Sequence, residues 1–176
     1  MVRTRFNLPR LRPIHVVFFV AASYVLFVGY DAVHSTGQIG STRKNGDGCT
    51  CHGDQVPTDS VLVWISGPDT IALGDAALYT LYMKGGPAIA GGFNVAAGRG
   101  SLSVSDTLSQ LLAGELTHTI PKSFDDDTVS WEFIYHAPLS GSADTIFSVG
   151  NSVNLDGIPI GDEFNFGTNF AVHLKD

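Results

Sequence analysis

The stretch VSWEFIYH, residues 129–136, decides the fold class. Val129, Trp131, Phe133 and Tyr135 fall on one face, with Ser130, Glu132 and His136 on the other. Strict alternation of this kind marks a strand with one buried and one solvated side. No comparable stretch in the later part of the chain keeps a helical spacing over four turns.

Working outward, similar short runs recur between turn residues. Val61–Ser66 (VLVWIS) is closed by Gly67-Pro68-Asp69, and Ala77–Met83 (ALYTLYM) by Lys84-Gly85-Gly86-Pro87. Gly92–Ala97, Ser101–Ser105, Thr145–Val149 and Phe170–Leu174 read as further strands, the last with Phe170, Val172 and Leu174 inward. Seven or eight strands with frequent Gly, Pro, Asn and Asp punctuation predict an all-β fold, an antiparallel β-sandwich. Trp64, Trp131 and the Phe and Tyr residues are the expected bulk of its core.

The N-terminus carries an address. Arg3, Arg5, Arg10 and Arg12 precede an apolar run from Ile14 to Tyr30, and no acidic residue occurs before Asp31. A basic flank followed by an apolar segment implies export with the N-terminus inside. A retained single-pass anchor is preferred here over a cleaved signal, which leaves the remainder on the periplasmic or cell-surface side. The expected organisation is a signal or membrane anchor at 1–30, a linker arm at 31–59 and a β-sandwich at 60–176.

Charge divides at the same point. Four of the ten basic residues lie in the anchor, whereas all 17 acidic ones follow it, so the exported part has a formal balance of −11. Such a surface repels phosphate backbones, which excludes nucleic acid as a partner. A basic extracytoplasmic redox protein or a membrane complex remains as a partner class. The chain contains neither a hydrolase motif nor a phosphate-cradling Gly loop, so it is read as a non-enzyme.

Several stretches together carry a family resemblance: the CTCHG motif in a Gly-rich lead, "GGFNVAA", "LTHT", "SWEFIYHAP" and "GNSVNLDGIPIGDEF". Over roughly residues 37–174 the chain resembles the choice-of-anchor V domain, an exported bacterial β-sandwich similar to the reeler domain. The resemblance implies a Cys-x-x-Cys-His motif where this chain has Cys49-Thr50-Cys51-His52, and a His-Thr pair at His118-Thr119. Many members end in a surface-sorting segment, which the residues up to Asp176 do not show.

Both cysteines of the chain lie in that motif. In a c-type site two thioethers join the haem vinyl groups, and the adjacent His is the proximal iron ligand. Cys51-His52 is intact for this purpose, while Cys49 has one spacer residue too few. His118, in the polar stretch Leu116-Thr117-His118-Thr119, is the leading distal ligand, ahead of His34, His136 and His173. The expected function is therefore a haem c one-electron carrier or accessory redox subunit. Two alternatives stay open: a Zn or Cu site formed by Cys49, Cys51, His52 and His118, and a Cys49–Cys51 disulfide in an adhesion or structural module.

Other polar clusters have plainer readings. Asn151, Asn154, Asp156, Asp162 and Glu163 offer oxygens for Ca²⁺ but lack EF-hand spacing, so turn formation is preferred. Asp125-Asp126-Asp127 reads as a solvated loop tip, and Trp131 with Tyr135 as core rather than a sugar platform.

Overall fold

The computed structural model describes residues 36–46, 48 and 56–176. The anchor expected at 1–30 lies outside them, as do Cys49, Cys51 and His52. Among the described residues there is no helix, so none is long and apolar enough to cross a membrane.

Twelve strands form two sheets: β1 (Val61–Ser66), β2 (Thr70–Ala72), β3 (Ala76–Gly85), β4 (Ala90–Ala97), β5 (Ser101–Val104), β6 (Ser109–Leu112), β7 (Glu115–His118), β8 (Lys122–Ser123), β9 (Thr128–His136), β10 (Ala143–Val153), β11 (Glu163–Phe166) and β12 (Phe170–Lys175). One sheet has the order β1-β3-β9-β5. The other runs β2-β12-β10-β4-β7-β6, with β11 added on β10 and β8 on β4. The architecture is a β-sandwich, as the alternation predicts. One pairing departs from the antiparallel expectation: β2 runs parallel to β12, with His173 opposite Thr70. The turn after β1 carries the chain across to the second sheet, where β2 adds to the outer edge of β12. The strands that the sequence reading missed (β2, β6, β7, β8 and β11) span two to four residues, too few to display a period.

The inward face of β9 is the centre of the core. Val129, Trp131, Phe133 and Tyr135 are all buried, and Trp131 meets Phe93 of the opposite sheet with ring centroids 4.7 Å apart. Tyr79 packs edge-on to Tyr135 at 5.7 Å and to Phe170 at 5.7 Å. Burial pushes the Tyr79 hydroxyl up to about 12, with the nearby Asp69 charge adding to it, so it stays a donor and holds the Pro68 carbonyl at 2.7 Å.

Trp64 corrects the expected core. On β1 the inward positions are Val61, Val63 and Ile65, which leaves Trp64 38% exposed on the outer face, stacked on Tyr82 at 5.2 Å. Both Trp64 and Tyr82 occupy the solvated parity of their strands and shield one another.

Asp144 clamps the opposite end of the sandwich. Its buried carboxylate accepts hydrogen bonds from the backbone N–H groups of Arg99 (2.8 Å), Gly100 (2.7 Å) and Thr145 (2.8 Å), and from the Tyr135 hydroxyl (2.7 Å). A buried charge with four donors is fully satisfied, and it ties β9 of one sheet to β10 of the other.

Candidate functional site

The arm that leads to Cys49 is a docked element. Its described residues lie on the outer face of the second sheet, held by a succession of specific contacts. Gly37 donates its N–H to the His118 carbonyl at 3.0 Å, and Gly40 donates to Glu115 Oε2 at 2.8 Å. Both the N–H and the hydroxyl of Ser41 donate to Asn94 Oδ1, at 3.1 and 3.0 Å. Asn94 in turn donates Nδ2 to the Leu116 carbonyl at 3.1 Å. Phe93 and Val95 point into the core, so Asn94 must point away from it, yet it is only 1% exposed. The arm is what buries it.

With the arm over Asn94 and the His118 ring over Gly92, β4 is buried on its outer as well as its core face. Further along, the Arg43 guanidinium lies over the Phe166 ring, 3.7 Å from its centroid. Gly48 reaches the same ring: it has φ +88, and a Cβ there would meet Phe166 and Arg43 side-chain atoms at 2.6 and 2.7 Å. Only glycine satisfies both constraints at the position before Cys49. On the far side of the motif, Thr58 donates its N–H to the Phe164 carbonyl at 3.0 Å, and Ser60 donates its hydroxyl to Glu163. The described residues that flank the motif, Gly48 and Thr58, thus both lie against β11, where Phe164 and Phe166 pack edge-to-face at 5.7 Å.

His118 closes the other end of this surface. The partner of β4 changes from β7 to β8 between His118 and Lys122, which interrupts the ladder beside Phe93. The Phe93 N–H is taken up by His118 Nδ1 at 3.1 Å. The ring also lies against Gly92, where a Cβ would overlap three of its atoms. Burial holds the imidazole below its usual pKa, so it is neutral at pH 7. A neutral ring that accepts at Nδ1 carries its proton on Nε2.

That tautomer tests the expected haem ligand set. An axial histidine gives the iron the Nε2 lone pair and keeps its proton on Nδ1. His118, as seated, has the opposite arrangement, so its donor set does not fit the distal position while the Phe93 hydrogen bond is made. On the apolar side, the described neighbour of Gly48 is the half-buried Phe166 ring. His118 and Phe166 are not neighbours: the His118 ring lies over β4, and β11 is two strands away across β10, roughly 10 Å. Among the described residues no three His, Cys, Asp or Glu side chains group to hold a metal ion.

The remaining candidates follow the plainer readings. His136 Nε2 is 2.8 Å from Ser103 Oγ on the neighbouring strand β5 of the same sheet, and His173 is exposed on β12. The Asn154–Asp162 loop is held by its own side chains: Asp162 Oδ1 accepts the Asn154 N–H at 3.1 Å, and Asn154 Oδ1 accepts the Asp156 N–H at 3.0 Å. These are turn contacts. Asp125-Asp126-Asp127 forms a tight turn whose ends exchange N–H···O bonds between Asp125 and Thr128, with Asp127 paired to Lys84 at 3.0 Å on the surface. Sequence reasoning missed Asn94, Gly92 and the Arg43–Phe166 pair. The paired glycines of GGFN were the available signal: Gly91 makes room for Met83 inside and Gly92 for His118 outside.

No family model matches the chain, and no curated protein matches it. Two solved structures of the CARDB domain of a Pyrococcus furiosus protein are similar to it at 17% identity over 65% of this chain. The solution structure covers 94% of that domain with a TM-score of 0.40; the crystal form, a complex with di-metal ions, covers 91% with 0.37.

Proposed function

We propose that this protein is an exported, membrane-tethered sandwich of the Ig or reeler-like kind whose docked arm carries haem c, and that it serves as a one-electron carrier or accessory redox subunit. The observation that supports this most is that the chain meets β11 on both sides of the motif, Gly48 against the Phe166 ring and Thr58 by a hydrogen bond to Phe164. A motif meant only to link an anchor to a sandwich needs no such seat. In this reading Cys51 would attach the macrocycle, alone or together with Cys49, and His52 would be the proximal ligand. Haem bound there would supply an Fe(III)/Fe(II) couple. Phe166, half-buried next to Gly48, would offer apolar surface, and hydrogen bonds from Gly37, Gly40 and Ser41 hold the arm on the sheet. His118 becomes the distal ligand only by releasing Phe93 and moving its proton to Nδ1; as seated, it fastens the arm.

That tautomer is the observation favouring a second reading, an adhesion or structural module in which Cys49 and Cys51 form a disulfide or hold Zn or Cu. A histidine already used as an acceptor suits a protein that needs no axial ligand.

The test is expression in a host competent in cytochrome c maturation, followed by acid-acetone extraction and intact mass. Covalent haem leaves a Soret band with the polypeptide. A colourless protein overturns the haem reading, and the mass then separates disulfide from free thiols. For the sixth ligand, His118→Ala converts a low-spin spectrum to high-spin if His118 binds iron. An unchanged spectrum removes it from the site.

A further inference from the structure

One pole of the sandwich collects exposed apolar side chains on loops that are tied together. Val56, Ile89, Leu155, Ile158 and Ile160 are each more than half exposed. The strand registers place their loops at one end, since Val61 at the start of β1 faces Gly85, Lys84 faces Thr128, and Val153 at the end of β10 faces Ala90. Hydrogen bonds lock the loops across both sheets. Gly86 donates to the Ser60 carbonyl at 3.1 Å, Ala88 to Ser152 Oγ at 2.9 Å, and Phe124 to the Ile89 carbonyl at 3.4 Å. The β10–β11 loop is held by Asn154, Asp156 and Asp162 as described above. These side chains are therefore displayed from a braced platform. Nothing in the local turn chemistry requires Ile158 or Ile160 to be apolar.

Acidic groups outnumber basic ones around them. Asp59, Asp125, Asp126 and Asp156 are exposed at this pole. The nearby cations are already engaged, Lys84 by Asp127 at 3.0 Å and Lys122 by the Ser130 carbonyl at 2.6 Å. An apolar centre with a charged rim is the anatomy of a protein interface, and an acidic rim repels anionic lipid and a second copy of itself alike.

We infer that this pole docks a protein partner presenting an apolar patch ringed by lysine or arginine. The assignment stands without haem, since it uses no residue of the Cys49–His52 motif.

The probe is a lysine-ringed small c-type cytochrome, titrated into the methyl-labelled full chain and followed by NMR. Saturable shifts are expected at Val56, Ile89, Leu155, Ile158 and Ile160, with affinity falling roughly tenfold from about 20 to about 200 mM salt. An Ile158→Ser/Ile160→Ser variant should abolish those at Val56, Ile89 and Leu155, and Asp125→Lys/Asp126→Lys should abolish all five. All four positions are exposed, so an unchanged methyl spectrum elsewhere verifies folding. The assignment is overturned if these methyls do not shift, or if their shifts survive both variants. It is equally overturned if phosphatidylcholine vesicles alone move them, or if the chain self-associates through them without probe.

Discussion

Asn94→Ala should release the arm while the sandwich stays folded. Asn94 makes three hydrogen bonds, two from Ser41 and one to Leu116, and is buried between arm and sheet. When the arm opens, the Ser41 donors return to water, so their loss costs no more than the docking itself. The Leu116 position keeps its pairing with Leu111 of β6, so it adds little. What disappears is about two net hydrogen bonds, together about 2–3 kcal/mol of docking. At tenfold per 1.4 kcal/mol the Ser41 amide should exchange roughly 30- to 150-fold faster with deuterium. The assay is NMR hydrogen exchange at Gly37, Gly40 and Ser41, with Leu81 of β3 as the core reference. If Ser41 stays within about threefold of the parent, Asn94 is not the fastener. If it accelerates only in step with Leu81, arm and sandwich open as one unit and the reasoning fails equally.

Three further outcomes follow from the same contacts. Stability should decline as pH falls below 6.5, because the unfolded His118 ring takes up a proton there while the buried ring resists until lower pH. Urea midpoints at about pH 7.5 and about pH 5 check this, and an equal decline in His118→Phe would exclude the ring as the cause. Asp144→Asn keeps one acceptor oxygen but turns an NH₂ toward the donors of Gly100 and Tyr135; chemical denaturation should show a loss of about 2–4 kcal/mol, and a loss under about 1 kcal/mol would contradict the clamp. Trp131→Ala should cost about 3–5 kcal/mol against about 1 kcal/mol for Trp64→Ala, and equal losses would contradict their opposite placement.

The alternation of residues 129–136 determined on its own that this chain builds a sheet with Trp131 and Tyr135 inside, because side chains of a strand point to opposite faces whatever lies around them. The same rule, applied to β1, already placed Trp64 opposite Val63; its size suggested core, but parity overrules size. The turn character of the Asn154–Asp162 loop and of Asp125–Asp127 was equally local, since Asn and Asp bond their own backbone. Short strands such as β7 and β11 carry too few residues for a period, and exist because a long neighbour offers them a ladder. Residues 36–48, rich in Gly and polar residues, read as a linker because Ile39 is their one large apolar residue. Only the folded sheet supplies Asn94, the Glu115 carboxylate and the Phe166 ring that seat them. The role of His118 belongs to the same class. A sequence names the imidazole, but which nitrogen keeps the proton depends on the Phe93 N–H, brought to it by a break in the ladder 25 residues away.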